Sequence, residues 1–328
     1  MPIKSQHNLT DPQVTTAQFD AGPSDIATAA RHWLARTEDV TRDAVRAHCR
    51  GRSRDWRELV KVLSDPSATD LFPPAERWQA WWRRLRPWHV HELFAARVRL
   101  RSPHAHSDMW ARIRRLAVPE KVSIEPSSHE HELLSEMTAA EAVGRSLAMV
   151  LVNPTLAASQ RVSQTQSLPR TMGALFAQCY AERVFLLQRG LSTVSQHQVE
   201  TLGRRAALAV TLDLRCRAAW SSLAPDAPLE LQQQVLSQAW AVGINFETLE
   251  QLRAGMSHAA RFRAGVAALA IAPCLRERYD EDWFANPRAG EPLLGGAERG
   301  GLHSAEAWCE ELGGSVEGAI LRLEELLN

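Results

Sequence analysis

TAAEAVGRSLAMVL, residues 138–151, places Ala, Val, Leu and Met at helical spacing through four turns. Polar side chains enter it only at Thr138, Glu141, Arg145 and Ser146. A stretch this apolar reads as a helix packed on most of its circumference. The fold turns on whether that helix, expected over 130–152, is core alone or also carries a site.

Outward from it, the pattern stays helical. Segments are expected at 169–190, 194–222, 228–242, 245–254, 256–280, 304–312 and 315–327, punctuated by Gly190, Pro225, Gly243, Gly255, Pro273 and Gly313. Upstream, SDIATAARHWLARTEDVTRDAVRAHCR reads as helix with Ser24 as its cap, and DWRELVKVLSD as a second helix stopped by Pro66. PPAERWQAWWRRLRPWHVHELFAARVRLRS reads as helix from about Pro74 to Arg101 with a break at Pro87. The one clear strand is EKVSIEPSS, where Val122 and Ile124 alternate with polar residues between Pro119 and Pro126. The expected class is mainly α, an irregular helical bundle with one or two minor strands. Residues 1–23 read as a flexible N-terminal arm. A Trp/Arg-rich helical region follows over 24–118 and a second helical region over 119–328. No convincing linker separates these two, so they read as one continuous domain from residue 24.

The bulk numbers exclude several classes. A chain of 328 residues with 45% hydrophobic side chains can build a sizeable core, and a formal net charge of zero gives no bulk attraction to nucleic acid or membrane. Only Lys4, Lys61 and Lys121 are lysines among the 38 basic residues, a bias that reads as codon usage and not as evidence for phosphate recognition. Cys49, Cys179, Cys216, Cys274 and Cys309 are odd in number, widely spaced and without a C-x-x-C pair, which argues for reduced thiols rather than disulfides or a structural zinc. No run reaches the roughly 18 apolar residues of a span, and MPIKSQHNLTDPQ has no signal-peptide core, so a cytoplasmic location is expected. There is no phosphate loop and no G-x-S-x-G elbow.

Three clusters could carry chemistry. SSHEHELLSEM supplies His129, His131 and Glu136, ligand types suited to zinc. On a helix His129 and His131 stand about 200° apart and neither has a partner four residues on. A solvated helix start capped by Ser127 or Ser128 explains the same residues. HVHE at 89–92 and HAH at 104–106 offer i, i+2 pairs that chelate only from a strand or loop. The third is a Trp-Arg belt, in which ten arginines from Arg77 to Arg115 interleave with tryptophans. Trp78, Trp81, Trp82 and Leu85 fall on one helical face, which suits core packing. The alternative is a contact surface built from Trp78, Trp81, Trp82, Arg83, Arg84 and Trp88 for a protein, peptide or nucleic acid.

LRERYDEDWFANPRAGEPL, residues 275–293, and the terminal AWCEELGGSVEGAILRLEELL resemble the end of bacterial oligoendopeptidase-like (thimet-type) zinc metallopeptidases. Upstream, the strand, polar loop and EAVGRSLAMVL resemble that family's strand, loop and zinc helix, whose pattern is His-Glu-x-Gly-His. The resemblance covers roughly residues 120–328 and implies a zincin/oligopeptidase-like bundle. Aligning Gly144 with the family's glycine puts Glu141 and Ala142 at the His-Glu pair and Arg145 at the second His. LPRTMGALFAQC offers Met172 where the family has its third ligand, a Glu. GMSHAARFRAG keeps only His258 of the expected Tyr/His cluster. What the resemblance therefore implies is a degenerate-site cleft lined by Glu141, Ala142, Arg145, Met172 and His258, without catalytic residues. Glu141 and Arg145, being i, i+4, are close enough for an ion pair.

The expected function is that of a pseudoenzyme: a metallopeptidase-like, protein- or peptide-binding regulatory or scaffold component with no cofactor. The alternatives are an atypical metal-dependent hydrolase holding a metal through His129, His131 and Glu136 or through the histidines of 89–106, and a nucleic-acid binder through the Trp-Arg belt. Oligomeric state is not legible.

Overall fold

The protein is described by a computed structural model covering residues 23–49, 55–64, 71–72, 77–101, 112–126, 132–161, 167–191, 194–253 and 258–328. These residues form sixteen α-helices and one small sheet. The N-terminal helices are α1 (Pro23–Arg36), α2 (Glu38–Cys49), α3 (Trp56–Ser64), α4 (Arg77–Arg84) and α5 (His91–Arg97). The strands are β1 (Val98–Leu100), β2 (Arg112–Ala117) and β3 (Lys121–Glu125). Then come α6 (Glu132–Val150), α7 (Ala158–Arg161), α8 (Ser167–Gln178), α9 (Arg183–Gln188) and the 27-residue α10 (Gln196–Ser222). The remainder is α11 (Leu229–Trp240), α12 (Phe246–Arg253), α13 (His258–Tyr279), α14 (Pro287–Glu298), α15 (Ala305–Glu311) and α16 (Val316–Leu327).

Local chemistry sets many of these boundaries. Ser195 caps α10 in a reciprocal box with Gln198, and Ser304 and Ser315 cap α15 and α16 by accepting from Ala307 and Gly318 amides. α11 ends with Ala241 in the left-handed region. β3 is central, parallel to β1 and antiparallel to β2, and buries Val122 and Ile124 completely.

α6 and α8 lie against each other at backbone distance. A β-carbon at Gly144 would fall 2.5 Å from the Met172 carbonyl oxygen, and one at Gly173 would fall 2.8 Å from the Glu141 carbonyl oxygen. Each helix offers its glycine to the other, so neither could carry a side chain there without separating the pair. α13 packs on α8 and α10 and buries an uninterrupted run from Ala264 to Ala272, which explains its lack of a polar face. One hydrophobic cluster runs from Ala29 in α1 to Leu323 in α16. A second joins α2, α3, α10, α11 and α12 through Val45, Leu59, Leu212, Leu236 and Leu249.

The mainly α class holds, and the helices expected after residue 130 stand close to their predicted places, except that the one expected over 169–190 is divided into α8 and α9 by a 3-10 turn at Cys179–Ala181 and an extended Glu182. The front half differs in detail. The break expected at Pro87 is present, as a turn containing Pro87 and His89 (φ 57°) between α4 and α5, but the resumed helix ends at Arg97 instead of Arg101 and the chain then extends as β1. Pairing with β3 decides this, because strand pairing beyond the local window overrides helical periodicity. α14 was not expected, since Gly290, Gly295, Gly296 and Pro292 all lie within it. Its start is nonetheless well made: Asn286 accepts from the Arg288 amide and Pro287 occupies the first turn. Gly290 leaves room for the ring of Trp88, whose Cγ would lie 2.9 Å from an added β-carbon, and Gly296 does the same for Trp308.

Candidate functional site

The site grows from one face of α6. Glu141 and Arg145 are one turn apart and only partly enclosed, with side-chain exposures of 19% and 15%. Arg145 Nη1 donates to Glu141 Oε1 at 3.4 Å. From α13, Arg261 Nη2 donates to the same oxygen at 3.5 Å. Two guanidinium groups therefore share one carboxylate oxygen at the long edge of hydrogen-bonding range. Arg145 Nε is buried and has no hydrogen-bond partner among the described residues.

Further cations surround this group. Burial pulls the Arg170 guanidinium, on α8, down to about 10, and the positive charges of Arg145 and Arg261 push it the same way. Burial also lowers Arg145; Glu141 opposes that shift, and Arg261 and Arg115 add to it. From α10, Arg217 donates to Asp213 at 2.9 Å and lies 3.1 Å from His258 Nδ1. The His258 ring stacks on Trp220 at 5.4 Å between centroids. Burial lowers Arg217, but Asp213, Cys216 and Glu141 together outweigh it and the net shift is upward.

Of the five residues expected to line a cleft, Glu141 and Arg145 meet as an ion pair. His258 stands one turn before Arg261 on α13 and joins through Arg217. Ala142 and Met172 do not take part: both are buried, and Met172 is fully enclosed in the core on α8. This corrects the expectation that they would line a cleft. Its cause is the close approach of α6 and α8, which leaves no opening on that side of the pair. Sequence reading missed Arg170, Arg217 and Arg261. Arg261 had a signal, since it follows His258 by three residues in a helical pattern. Arg170 and Arg217 reach the site from other helices, and no local pattern marks them.

A divalent cation does not fit these side chains. A guanidinium is protonated at all relevant pH values and has no lone pair to give, and several of them repel a metal ion. Zinc sites use imidazole, thiolate or carboxylate, and no three such side chains among the described residues are placed to hold one ion. His129 and His131 lie outside the described residues. Glu136 is not a solvated carboxylate at a helix start but a fully buried one. Tyr180 Oη donates to its Oε2 at 2.7 Å and Arg189 Nη2 donates to the same oxygen at 2.9 Å. That network ties α6 to the turns around α9.

The Trp-Arg belt is largely interior. Trp81 and Trp88 are buried, while Trp78 and Trp82 are half-buried against the same core. Trp81 stacks on Phe176 at 5.2 Å, and Trp88 Nε1 donates to the Asn286 carbonyl at 3.1 Å. Arg84 lies 4.1 Å above the Phe185 ring, and burial brings its guanidinium down to about 10. Only Arg83 of the six is exposed. The expected contact surface is thus corrected to a core face, for the helical spacing of its tryptophans. His89 is exposed and His91 meets Trp82 edge-on, whereas His104 and His106 lie outside the described residues. No helix of the described residues is long and apolar enough to cross a membrane.

No protein-family model matches this chain, and no curated protein matches its sequence. Solved structures match its shape. The carboxypeptidase of Pyrococcus furiosus aligns over 95% of this chain and 80% of its own, with 10% identity and a TM-score of 0.53. An M32 carboxypeptidase from Deinococcus radiodurans R1 aligns over 92% of this chain and 67% of its own, with 13% identity and a TM-score of 0.55. The likeness is one of fold: the helical architecture here is that of carboxypeptidases.

Proposed function

We propose that this chain is a non-catalytic member of the carboxypeptidase-like folds, one that binds a protein or peptide partner instead of hydrolysing peptide bonds. One observation supports the reading. On the helix that resembles a zinc helix, Arg145 stands where the resemblance would place the second His, and Glu141 pairs with it and with Arg261 of α13. Metal-assisted hydrolysis needs three ligands around an open coordination position and a base beside the bound water. The residues at the aligned positions, Glu141, Ala142, Arg145 and Met172, offer one carboxylate, and it is already shared by two guanidinium groups.

The test is metal content and turnover on the purified full chain. After zinc loading and desalting, the metal should remain far below one ion per chain. Peptide substrates carrying a free C-terminal carboxylate should show no cleavage that a chelator abolishes. Stoichiometric zinc that falls away in Glu141→Ala, or chelator-sensitive cleavage, overturns the reading. The alternative of a hydrolase using Glu136 gains no support from the geometry, because that carboxylate is fully buried and accepts from Tyr180 and Arg189. A nucleic-acid surface on the tryptophan belt is likewise unsupported, since Trp81 and Trp88 are enclosed.

A further inference from the structure

Between α4, the C-terminal end of α8, α9 and the 3-10 turn Trp283–Ala285 lies a cavity of about 10 Å³. Its lining is aromatic apart from Arg84, Leu85 and Cys179. Arg84 is half-buried there, and among the described residues no carboxylate pairs with it. Its one hydrogen bond runs from Nη2 to the Phe185 carbonyl at the long distance of 3.4 Å. The guanidinium otherwise faces rings, 4.1 Å from the Phe185 centroid and 5.5 Å from that of Phe284. Ring faces attract the charge but leave most of the five N–H donors unused. Arg189, a second cation within its reach, adds repulsion.

Two more donors belong to the same cavity. Trp81 and Trp283 line it at 4% and 1% exposure, and the Nε1 of each is buried with no hydrogen-bond partner among the described residues. Buried indole N–H groups ordinarily find an acceptor. The third indole, Trp88, has one in the Asn286 carbonyl. Trp33 and Trp220 also lack an acceptor, so an orphaned indole alone is no site. What marks this place is two of them around one cavity together with a cation.

The lining side chains hold no oxygen and no imidazole. The Cys179 thiol, which burial keeps protonated, itself donates to the Leu175 carbonyl at 3.4 Å. A water in the cavity could accept from the indoles, but its own hydrogens would meet no oxygen or nitrogen acceptor on these side chains. It would also leave the guanidinium charge unanswered in surroundings of low dielectric. An anion needs donors only. Size then sets its class, because about 10 Å³ is room for about one water-sized sphere and not for a carboxylate, phosphate or sulfate group.

We propose that Arg84, Trp81 and Trp283 form a binding site for a monatomic anion of the halide class, with chloride as its natural occupant. The site would tie α4 to α9 and the turn at Trp283. It goes beyond the non-catalytic reading and shares no residue with the Glu141 group, so either can fail alone.

Thermal unfolding of the full chain at constant ionic strength, with chloride replacing gluconate, tests it beside chloride NMR line widths on the same protein. The melting temperature should rise with chloride as one site fills. The chloride line should broaden, and bromide should reverse the broadening by competition whereas sulfate should not. Arg84→Gln should abolish both responses. Trp283→Phe, which keeps the ring and removes one donor, should weaken binding about tenfold. That variant keeps the test open should Arg84→Gln not fold. Arg57→Gln, at an exposed pair with Glu247, should behave as the parent does. A melting temperature indifferent to chloride with no line broadening overturns the proposal, as do responses unchanged in folded Arg84→Gln or Trp283→Phe. Sulfate competing as well as bromide overturns the monatomic assignment.

Discussion

A β-carbon at Gly173 of α8 would lie 2.5 Å from the Cγ of Arg145 of α6, so the glycine is what lets the arginine lie flat across the neighbouring helix. At Gly144 the obstacle is harder still, the Met172 carbonyl oxygen at 2.5 Å, which belongs to backbone and cannot swing aside. Gly144→Ala should therefore destabilise the fold by about 1–3 kcal/mol or more, the range for overpacking a tight contact. Gly295→Ala, in α14 with nothing within 4 Å of the added carbon, should be neutral or stabilising by up to about 1 kcal/mol from helix propensity. Urea unfolding of the two variants beside the parent checks both signs.

Arg215 is 1% exposed and spends its donors at the ends of two helices. It donates to the Ala239 carbonyl near the end of α11 at 2.7 Å, and to the Leu34 carbonyl and Thr37 Oγ1 at the end of α1 at 2.8 and 2.5 Å. A cation at two helix C-termini also meets the negative ends of both dipoles. Arg215→Met should cost at least about 2 kcal/mol, because buried acceptors lose their partner. Arg215→Lys should not restore it, since an ammonium cannot fork between two helices. Guanidinium-chloride midpoints decide the point.

Tyr180 and Arg189 both donate to the buried carboxylate of Glu136. Tyr180→Phe should lower stability by about 1–3 kcal/mol, the cost of leaving a buried acceptor short of a donor. Glu136→Ala should cost more, about 3–5 kcal/mol, because Arg189, with 5% of its side chain exposed, then stays charged without its carboxylate. The double variant should lose less than the sum of the two, and a double-mutant cycle measures the coupling.

Burial pushes the Cys216 thiol up to about 11 and the Cys309 thiol up to about 12, from an ordinary value of 9.0. The folded state therefore holds these protons more tightly than the unfolded chain does. Stability from this source is complete below pH 9.0 and is lost as pH rises from there towards the folded values. Thermal melts between pH 8 and pH 11 should fall on the alkaline side, and the fall should be shallower in Cys216→Ala. A thiol reagent at neutral pH should label Cys274, the one cysteine that is not buried, before Cys49, Cys179, Cys216 and Cys309.

The resemblance led to an oligoendopeptidase-like helical bundle through residues whose spacing is hard to reach by chance, and the solved carboxypeptidases that match this chain's shape bear out the mainly helical fold. Helix positions after residue 130 were legible because apolar periodicity and Gly or Pro punctuation are local properties. The i, i+4 spacing of Glu141 and Arg145 was enough to foresee their ion pair, since one helix sets the distance. The tryptophan face of α4 was legible as a stripe, but not which side of it faced solvent. β1 and β2 escaped notice because a short strand is defined by its partner, here β3, and not by its own residues. α14 escaped because its glycines serve Trp88 and Trp308, side chains far away in the chain.

What the amino-acid sequence determined unaided was the helical class and the placement of most helices, both functions of neighbours a few residues apart. Only the tertiary structure decided that Arg170, Arg217 and Arg261 stand beside Arg145, that Glu136 is buried and that Met172 takes no part. Those facts depend on how α6, α8, α10 and α13 are oriented against one another, and that orientation comes from packing across the whole core, in which Gly144 and Gly173 set the closest approach.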